Sequence, residues 1–514
     1  MGKGKDKMEY LIGIDLGTSG AKIVLFSSRG KAVCSAMRSY SLYQPKNGWA
    51  EQAPEDWWNA VADGLRDVLS QSGVDASLIR GIGLSGQMHG LVLLDHLGCP
   101  LRRAIIWCDQ RSQEECVQLE ETLGQDRLLD ITGNPALPGF TASKILWVQN
   151  HEPHLWEKCA HILLPKDYIR YQLTGELATD VSDASGMQLM ELRKRAWSAE
   201  VLNVLQIEKG MLASMHESQE LTGAVCKKAA ARTGLKEGTP VVAGAGDNAA
   251  AAVGVGIVKP GQAFNTIGTS GVIYALMDDC SCDSKGRIHT LCASVPGKWT
   301  AMSCTQAAGL SLQWLRNTCC KDVLETAAEH EMDSYAYMDK MAEAVPPGAQ
   351  NLIFLPYLMG ERSPHPDPYC RGTFLGLAAF HTQAHLIRAV MEGVAYSQWE
   401  CLDVFRELGV QVDSMAICGG GARSKLWRQM LCDMYGCPVY RTQAEEGPAL
   451  GAALLAAVGV GLYSSLEEAS GNVVAPAEVC HPDEKAHLAY EPYYKLYKNL
   501  YQSLKKDFFQ LAKL

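Results

Sequence analysis

The tetrapeptide Gly-Thr-Ser-Gly occurs at Gly17–Gly20 and again at Gly268–Gly271. Both copies sit between apolar, β-branched runs, "YLIGIDLGTSGAKIVLF" at 10–26 and "AFNTIGTSGVIYAL" at 263–276. Residues 12–16 and 23–26 read as buried strands, so the glycine-rich stretch between them reads as a tight hairpin. Glycine lets a ligand approach the backbone closely. The hydroxyls add donors beside exposed N–H groups, and such a turn makes a concave nest for an anion, phosphate above all. One such turn is an ordinary hairpin. Two in matching contexts, one in each half of the chain, imply two related lobes that clamp one phosphate-bearing ligand between them.

Asp15 sharpens this reading. Burying an unpaired carboxylate in an apolar strand costs on the order of several kcal/mol. A salt bridge or a cation offsets that cost. At the end of a strand and facing a phosphate nest, Asp15 is placed to hold Mg²⁺ through water.

A chain of 514 residues calls for two large domains or more. The net charge of −10 argues against a nucleic-acid partner. The basic stretch "MGKGKDK" opens what is expected to be a disordered tail over residues 1–9. Without a run of about 18 apolar residues, no membrane span is expected. Without a signal-peptide pattern, the expected location is the cytoplasm. The 18 cysteines are scattered without metal-ligand spacing. They read as small buried hydrophobes in a reducing compartment.

Residues 56–72 have the helical spacing Trp57, Val61, Leu65 and Val68. Residues 79–95 read as strand, turn, strand, and "IIWCDQRSQEECVQLEETL" starts as a strand at Ile105 and continues as a helix. "PVVAGAGDNAAAAVGVGIVKPGQ" is a strand, a glycine-rich turn and an alanine-rich helix. "VKPGQ" at 258–262 breaks that pattern and places the lobe boundary, with a first lobe over 10–257 and a second over 258–514. The second half predicts a long helix over 382–408, a strand, triple-glycine turn and helix over 414–436, and an alanine-rich helix in "GPALGAALLAAVGVG". The tail puts Tyr490, Tyr493, Tyr494, Tyr497 and Tyr501 on or near one face of a packed helix.

The turn in "CGGGARSKLW" is neither a Walker A loop nor a dinucleotide fingerprint. It suits close approach of a nucleotide's ribose or α-phosphate to bare backbone and a helix N-terminus. In "GAGDNAAAA", Asp247 sits where an alanine-rich helix begins. It suits an N-cap, and the helix dipole favours its ionised form.

Together these pieces resemble the FGGY family of carbohydrate kinases, within the actin-like superfamily. "IDLGTSGAK" and "NTIGTSG" resemble the family's two phosphate hairpins. "GFTASKILWVQNH", with Lys144, Trp147 and Asn150, and "GTFLGLAAFHTQAHLIRAVMEG" resemble its two signatures, and "GGGAR" its adenosine loop. The likeness runs from about residue 10 to about residue 505. Within the family, "SGQMHG", "IIWCDQR", "LLPKDYIR", "TDVSDASGM" and "PYLMGERSPH" are similar to the xylulokinase branch. Glycerol kinases carry an Arg-Glu pair in place of Met88-His89. Cys108 and Gln110 depart from the expected Asn and Gly, and Lys425 replaces an Asn found near adenine in glycerol kinases.

The resemblance implies two α/β lobes, each a mixed five-stranded sheet flanked by helices, with an interlobe cleft. It implies ATP and Mg²⁺ as cofactors, D-xylulose as the small-molecule substrate, and closure of the lobes on ligand. Asp247 would be the general base, and Asp15 would hold Mg²⁺ at the β- and γ-phosphates. Gln87, Met88, His89, Trp107, Asp247 and Asn248 would line the sugar. Thr18, Gly268, Thr269, Ser270, Gly309, Gln313, Gly420, Gly421, Ala422 and Lys425 would contact the nucleotide. Dimers are common among such kinases, which leaves a homodimer open. The alternatives are a kinase of another ketose or polyol such as ribulose or erythrulose, a sugar-independent actin-like ATPase, and a catalytically dead sugar sensor. Intact Asp15, Asp247 and hairpins argue against the last.

Overall fold

The computed structural model describes residues 9–443 and 447–514. Two sheets organise it, and the duplicated turn sits at the same place in both. In the first, β1 (Tyr10–Leu16) and β2 (Gly20–Ser27) flank Gly17–Ser19, followed by β3 (Ala32–Ser39), β4 (Ile79–Gly86), β5 (Leu221–Ala224), β6 (Pro240–Val242) and β7 (Ala245–Gly246). The strand order is β5-β6-β4-β1-β2-β3, with β7 also paired to β4. In the second, β8 (Gly261–Ile267) and β9 (Gly271–Met277) flank the second turn, followed by β10 (His289–Cys292), β11 (Trp299–Thr305), β12 (Val412–Cys418), β13 (Val439–Thr442) and β14 (Pro476–Cys480). Its order is β10-β11-β9-β8-β12-β13-β14.

Each sheet therefore has seven strands, not the expected five. A shared core of five lies inside both, β3-β2-β1-β4-β6 and β11-β9-β8-β12-β13. In each core the first two pairings are antiparallel and the last two parallel. Three of the extra strands lie at sheet edges, β7 pairs with the core strand β4, and all four are at most five residues long.

Helix α1 (Pro54–Ser72) buries Trp57, Val61, Leu65 and Val68, the face its spacing predicts, in one apolar cluster with Ile12, Ile14, Ile23 and Leu25. Helix α2 (Asp247–Gly254) follows β7, and α3 (Gly309–Cys319) follows the second sheet's β11. The long helix α4 (Gln383–Glu407) and α5 (Lys425–Tyr435) form where expected. The alanine-rich α6 (Gly447–Gly459) departs from the simple division at residue 258. It belongs to the second half of the chain yet packs on the first sheet. A Cβ at Gly13 would lie 1.9 Å from the Ala449 carbonyl oxygen, and one at Gly83 1.8 Å from that of Ala452. Only glycine permits that approach.

The C-terminal helix α7 (Glu484–Leu511) buries Tyr490, Tyr494, Tyr497 and Tyr501, with Tyr493 half-buried beside them. Their hydroxyls reach Arg388, Asp403, Tyr357 and Asp367, the partners that buried tyrosines need. Of the expected N-terminal tail, residues 1–8 lie outside the described residues. Glu9, included in that expectation, instead holds a place in the fold and pairs with Arg80 at 3.0 Å. All 18 cysteines are free, eight of them buried and only Cys99 and Cys319 exposed. Among the described residues no helix is long and apolar enough to cross a membrane.

Candidate active site

The first hairpin closes with Gly17 N–H donating to the Gly20 carbonyl at 3.1 Å. Side chains hold it from outside. The Tyr40 hydroxyl donates to the Gly17 carbonyl, and Gln52 Nε2 donates to the Thr18 carbonyl at 2.7 Å. Gln52 Oε1 in turn accepts from Trp57 Nε1 at 3.1 Å and from Gln87 Nε2 at 2.8 Å. Trp107 Nε1 donates to Thr18 Oγ1 at 2.9 Å.

The second hairpin closes with Gly268 N–H on the Ser270 carbonyl at 3.0 Å, and its outer support is mainly backbone, with one long side-chain contact from Thr305 Oγ1 to the Gly271 carbonyl at 3.5 Å. Ala308 N–H donates to the Thr269 carbonyl at 3.0 Å and Gly309 N–H to that of Gly268 at 2.8 Å. A Cβ at Gly309 would meet the Gly268 oxygen at 2.5 Å, so this predicted nucleotide contact acts here as the glycine that seats α3 on the turn. The triple-glycine loop packs on the same hairpin: a Cβ at Gly419 would lie 2.6 Å from the Ile267 carbonyl oxygen, and one at Gly421 2.4 Å from the Ile267 side chain.

A cleft of about 560 Å³ opens between the sheets. Lys22, Asp247 and Asn248 line one side, and Thr266, Gly419, Ala422, Arg423 and Arg441 the other. Lys22 lies just beyond the first hairpin and Thr266 just before the second. The cations were missed at the sequence level. Strand alternation after the first turn was the available signal for Lys22, and "GGGAR" itself contained Arg423.

Asp15 stands opposite Ser85 and Lys22 in the strand register, and its Oδ1 accepts from Ser85 Oγ at 2.9 Å. Asp247 is the first residue of α2, and its Oδ1 accepts from Asn248 N–H at 2.7 Å and Nδ2 at 2.9 Å. Gly246, not Asp247, is the helix cap. The helix start does favour the ionised form of Asp247, through the Asn248 N–H, but burial outweighs it. Burial pushes its carboxyl up to about 7, the Asp15 charge adds to the rise, and the Asn248 hydrogen bonds only partly oppose it. A carboxyl held near neutrality is what proton abstraction from an alcohol requires. The turn before it is anchored too: Gly246 N–H donates to Ser182 Oγ at 3.2 Å, and Ser182 is held by Asp180, itself 2.8 Å from buried Lys166.

Met88 is buried, and its sulfur would lie 2.9 Å from a Cβ at Gly246, so it forms a wall beside the Asp247 turn. His89 adopts φ 67° and places Nδ1 2.9 Å from the Gly186 carbonyl. A carbonyl only accepts, so Nδ1 carries the hydrogen and Nε2 is an acceptor. Burial pushes this imidazole down to about 3, so it is neutral at physiological pH. Buried Lys144 donates to the His89 carbonyl at 2.8 Å and to that of Gly139 at 2.7 Å, giving the signature lysine a positioning role. Phe140 packs between His89 and His289, with ring centroids 4.3 and 5.6 Å away. Burial and the nearby Arg362 guanidinium also keep His289 neutral. Phe140, His289 and Arg362 escaped the sequence reading because they converge from distant segments.

Among the predicted residues, Asp247, Asn248 and Ala422 line the cleft, Gly268 and Gly421 adjoin it, and Thr269 and Ser270 complete the hairpin that Gly268 begins. Gln87 is buried and braces the first hairpin rather than lining an open wall. Gln313 and Lys425 are exposed and stand outside the cleft lining, as does Gly420, which has open space on its Cα.

The chain is similar to known proteins over nearly its whole length. Residues 10–254 match the N-terminal domain of the FGGY family of carbohydrate kinases, and residues 263–460 match its C-terminal domain. A xylulose kinase of Bacillus subtilis is 41% identical over 97% of this chain and 98% of its own length. One of Escherichia coli is 39% identical over 96% and 99%. A solved structure described as a xyloylose kinase from Brucella ovis superposes with a TM-score of 0.89 at 33% identity, covering 97% of this chain and all of that one.

Proposed function

The chain belongs to the FGGY family of carbohydrate kinases, and from that premise we propose that it transfers the γ-phosphoryl group of ATP to the 5-hydroxyl of D-xylulose. The observation that carries this reading is Asp247: a half-buried carboxyl on the cleft wall, held near pKa 7, beside the Met88–His89 loop. The names of the full-length relatives support the choice of sugar.

Asp247 takes the hydroxyl proton as the oxygen attacks phosphorus. The new P–O bond forms as the bond to ADP breaks. Neutral His89 offers Nε2 to a sugar hydroxyl, and Met88 supplies an apolar wall that a polar Arg-Glu pair would not. Asn248 spends one amide hydrogen on Asp247, which fixes the carboxylate's direction and leaves the other for the sugar. The hairpin N–H groups with Lys22, Arg423 and Arg441 offset phosphate charge, the main task of a phosphoryl-transfer site.

The Asp15 charge raises the affinity of Asp247 for positive charge, an arrangement that fits a hard divalent cation. No set of three ligating side chains exists among the described residues, so Mg²⁺ would rest mainly on phosphate oxygens and water, with Asp15 as its protein contact. When bound, it neutralises charge building on the phosphates.

A coupled ADP-release assay over D-xylulose, ribulose, erythrulose and glycerol tests the proposal. D-Xylulose should give the highest kcat/KM. Preference for another ketose would move the substrate within the family, and ATP turnover indifferent to every sugar would favour an actin-like ATPase. Light scattering on the eluted protein decides between monomer and homodimer.

A further inference from the structure

The sugar wall and the first phosphate hairpin are not separate parts. Trp107 lies on the sugar side: its carbonyl oxygen is 2.7 Å from where a Gly139 Cβ would stand. Gly139 and His89 share the Lys144 ammonium through their carbonyls. The same Trp107 donates its indole N–H to Thr18 Oγ1 in the hairpin at 2.9 Å. Gln87, which precedes Met88–His89, reaches the hairpin independently through Gln52 and the Gly17 carbonyl.

A hydroxyl that accepts from an indole has its remaining proton free to donate elsewhere. Trp107 therefore sets the rotor of Thr18, and through it what the hairpin presents to a phosphate oxygen. Resting on the sugar-kinase reading above, we propose that the Trp107–Thr18 hydrogen bond is a positioning contact that couples the two half-sites, so that sugar against the Trp107 wall strengthens nucleotide binding at the first hairpin. By linkage, nucleotide must strengthen sugar binding by the same factor. Coupling of this kind typically amounts to about 5–150-fold in affinity.

The test measures the sugar dissociation constant by calorimetry, with and without a saturating nonhydrolysable ATP analogue. The sugar is D-xylulose, or whichever of ribulose, erythrulose and glycerol the wild-type enzyme phosphorylates best. The ratio of the two constants is the coupling factor. Trp107→Phe keeps an aromatic wall and removes the N–H donor. Thr18→Val removes the acceptor, while Thr18→Ser keeps it. Each of the first two should lower the coupling factor at least fivefold, and the double variant should lower it no further than either alone, the signature of a shared contact. Thr18→Ser should stay within about twofold of wild type.

A wild-type factor of one, an unchanged factor in Trp107→Phe, or single effects that multiply in the double variant would overturn the coupling. If Trp107→Phe does not fold, the Val and Ser variants of Thr18 decide alone. The substrate reading fails separately, on the wild-type sugar panel. A D-xylulose result lost to ribulose leaves the coupling measurement intact.

Discussion

The two Gly-Thr-Ser-Gly turns are the same four residues held in different ways. The first hangs on side chains: Tyr40, Gln52 and Trp107 reach it from three loops or strands. The second is seated on backbone, by the amides of Ala308 and Gly309 at the start of α3. Two of those supports, Trp107 directly and Gln52 through Gln87, lead to the sugar-side loops, so the first turn can sense that pocket. A turn locked to a helix by main-chain hydrogen bonds is a fixed platform. One duplicated motif has thus been divided between a responsive clamp and a rigid one.

The largest predicted effect lies between the clamps. Asp247→Ala should bind sugar yet lose phosphoryl transfer by about 10²–10⁴-fold in kcat, the usual range for a lost general base. Retention of more than a tenth of the activity would remove Asp247 from the role. Next come two variants that set the clamps against each other. Gly309→Ala forces a methyl group toward the Gly268 oxygen and should raise KM for ATP about tenfold while leaving sugar affinity in the absence of nucleotide unchanged. Gln52→Leu strands the partners of a fully buried amide, at about 1–3 kcal/mol. It should weaken ATP and sugar together, by about fivefold or more each. If both variants give the same pattern, the contrast between the turns is void.

The smallest effect is a pH dependence. Asp247 works ionised, and burial raises its pKa, so kcat/KM for the sugar should rise with pH through an apparent pKa of about 7. In the residual activity of Asp15→Asn, the limb should move to lower pH, because the charge that adds to the rise is gone. A limb that stays in place or moves up would show that Asp15 does not face Asp247 in the working enzyme.

Much of this was legible in the sequence. Short motifs flanked by strands marked both hairpins and Asp15, and helical spacing at Trp57, Val61, Leu65 and Val68 gave the buried face of α1 correctly. What escaped depends on tertiary neighbours. The marginal strands Leu221–Ala224 and His289–Cys292 are too short for a period-two pattern to stand out. Gln52 and Tyr40 look like ordinary polar residues until folding brings them to Gly17 and Thr18. The pKa of Asp247 is set by what covers it, whereas the helix-start position visible in sequence pointed the other way. Lys425 and Gln313 were carried over by position in a motif, and both are exposed in the fold.

The crossing of α6 onto the first sheet has a consequence for synthesis. While the ribosome is still making the second half, β1 and β4 present the bare backbones of Gly13 and Gly83 where Ala449 and Ala452 will later rest. The amino-terminal half cannot finish its core until about residue 459 has emerged. A nascent chain or a fragment cut near residue 258 should therefore be sticky and chaperone-dependent, and co-expression of the missing half should restore its solubility.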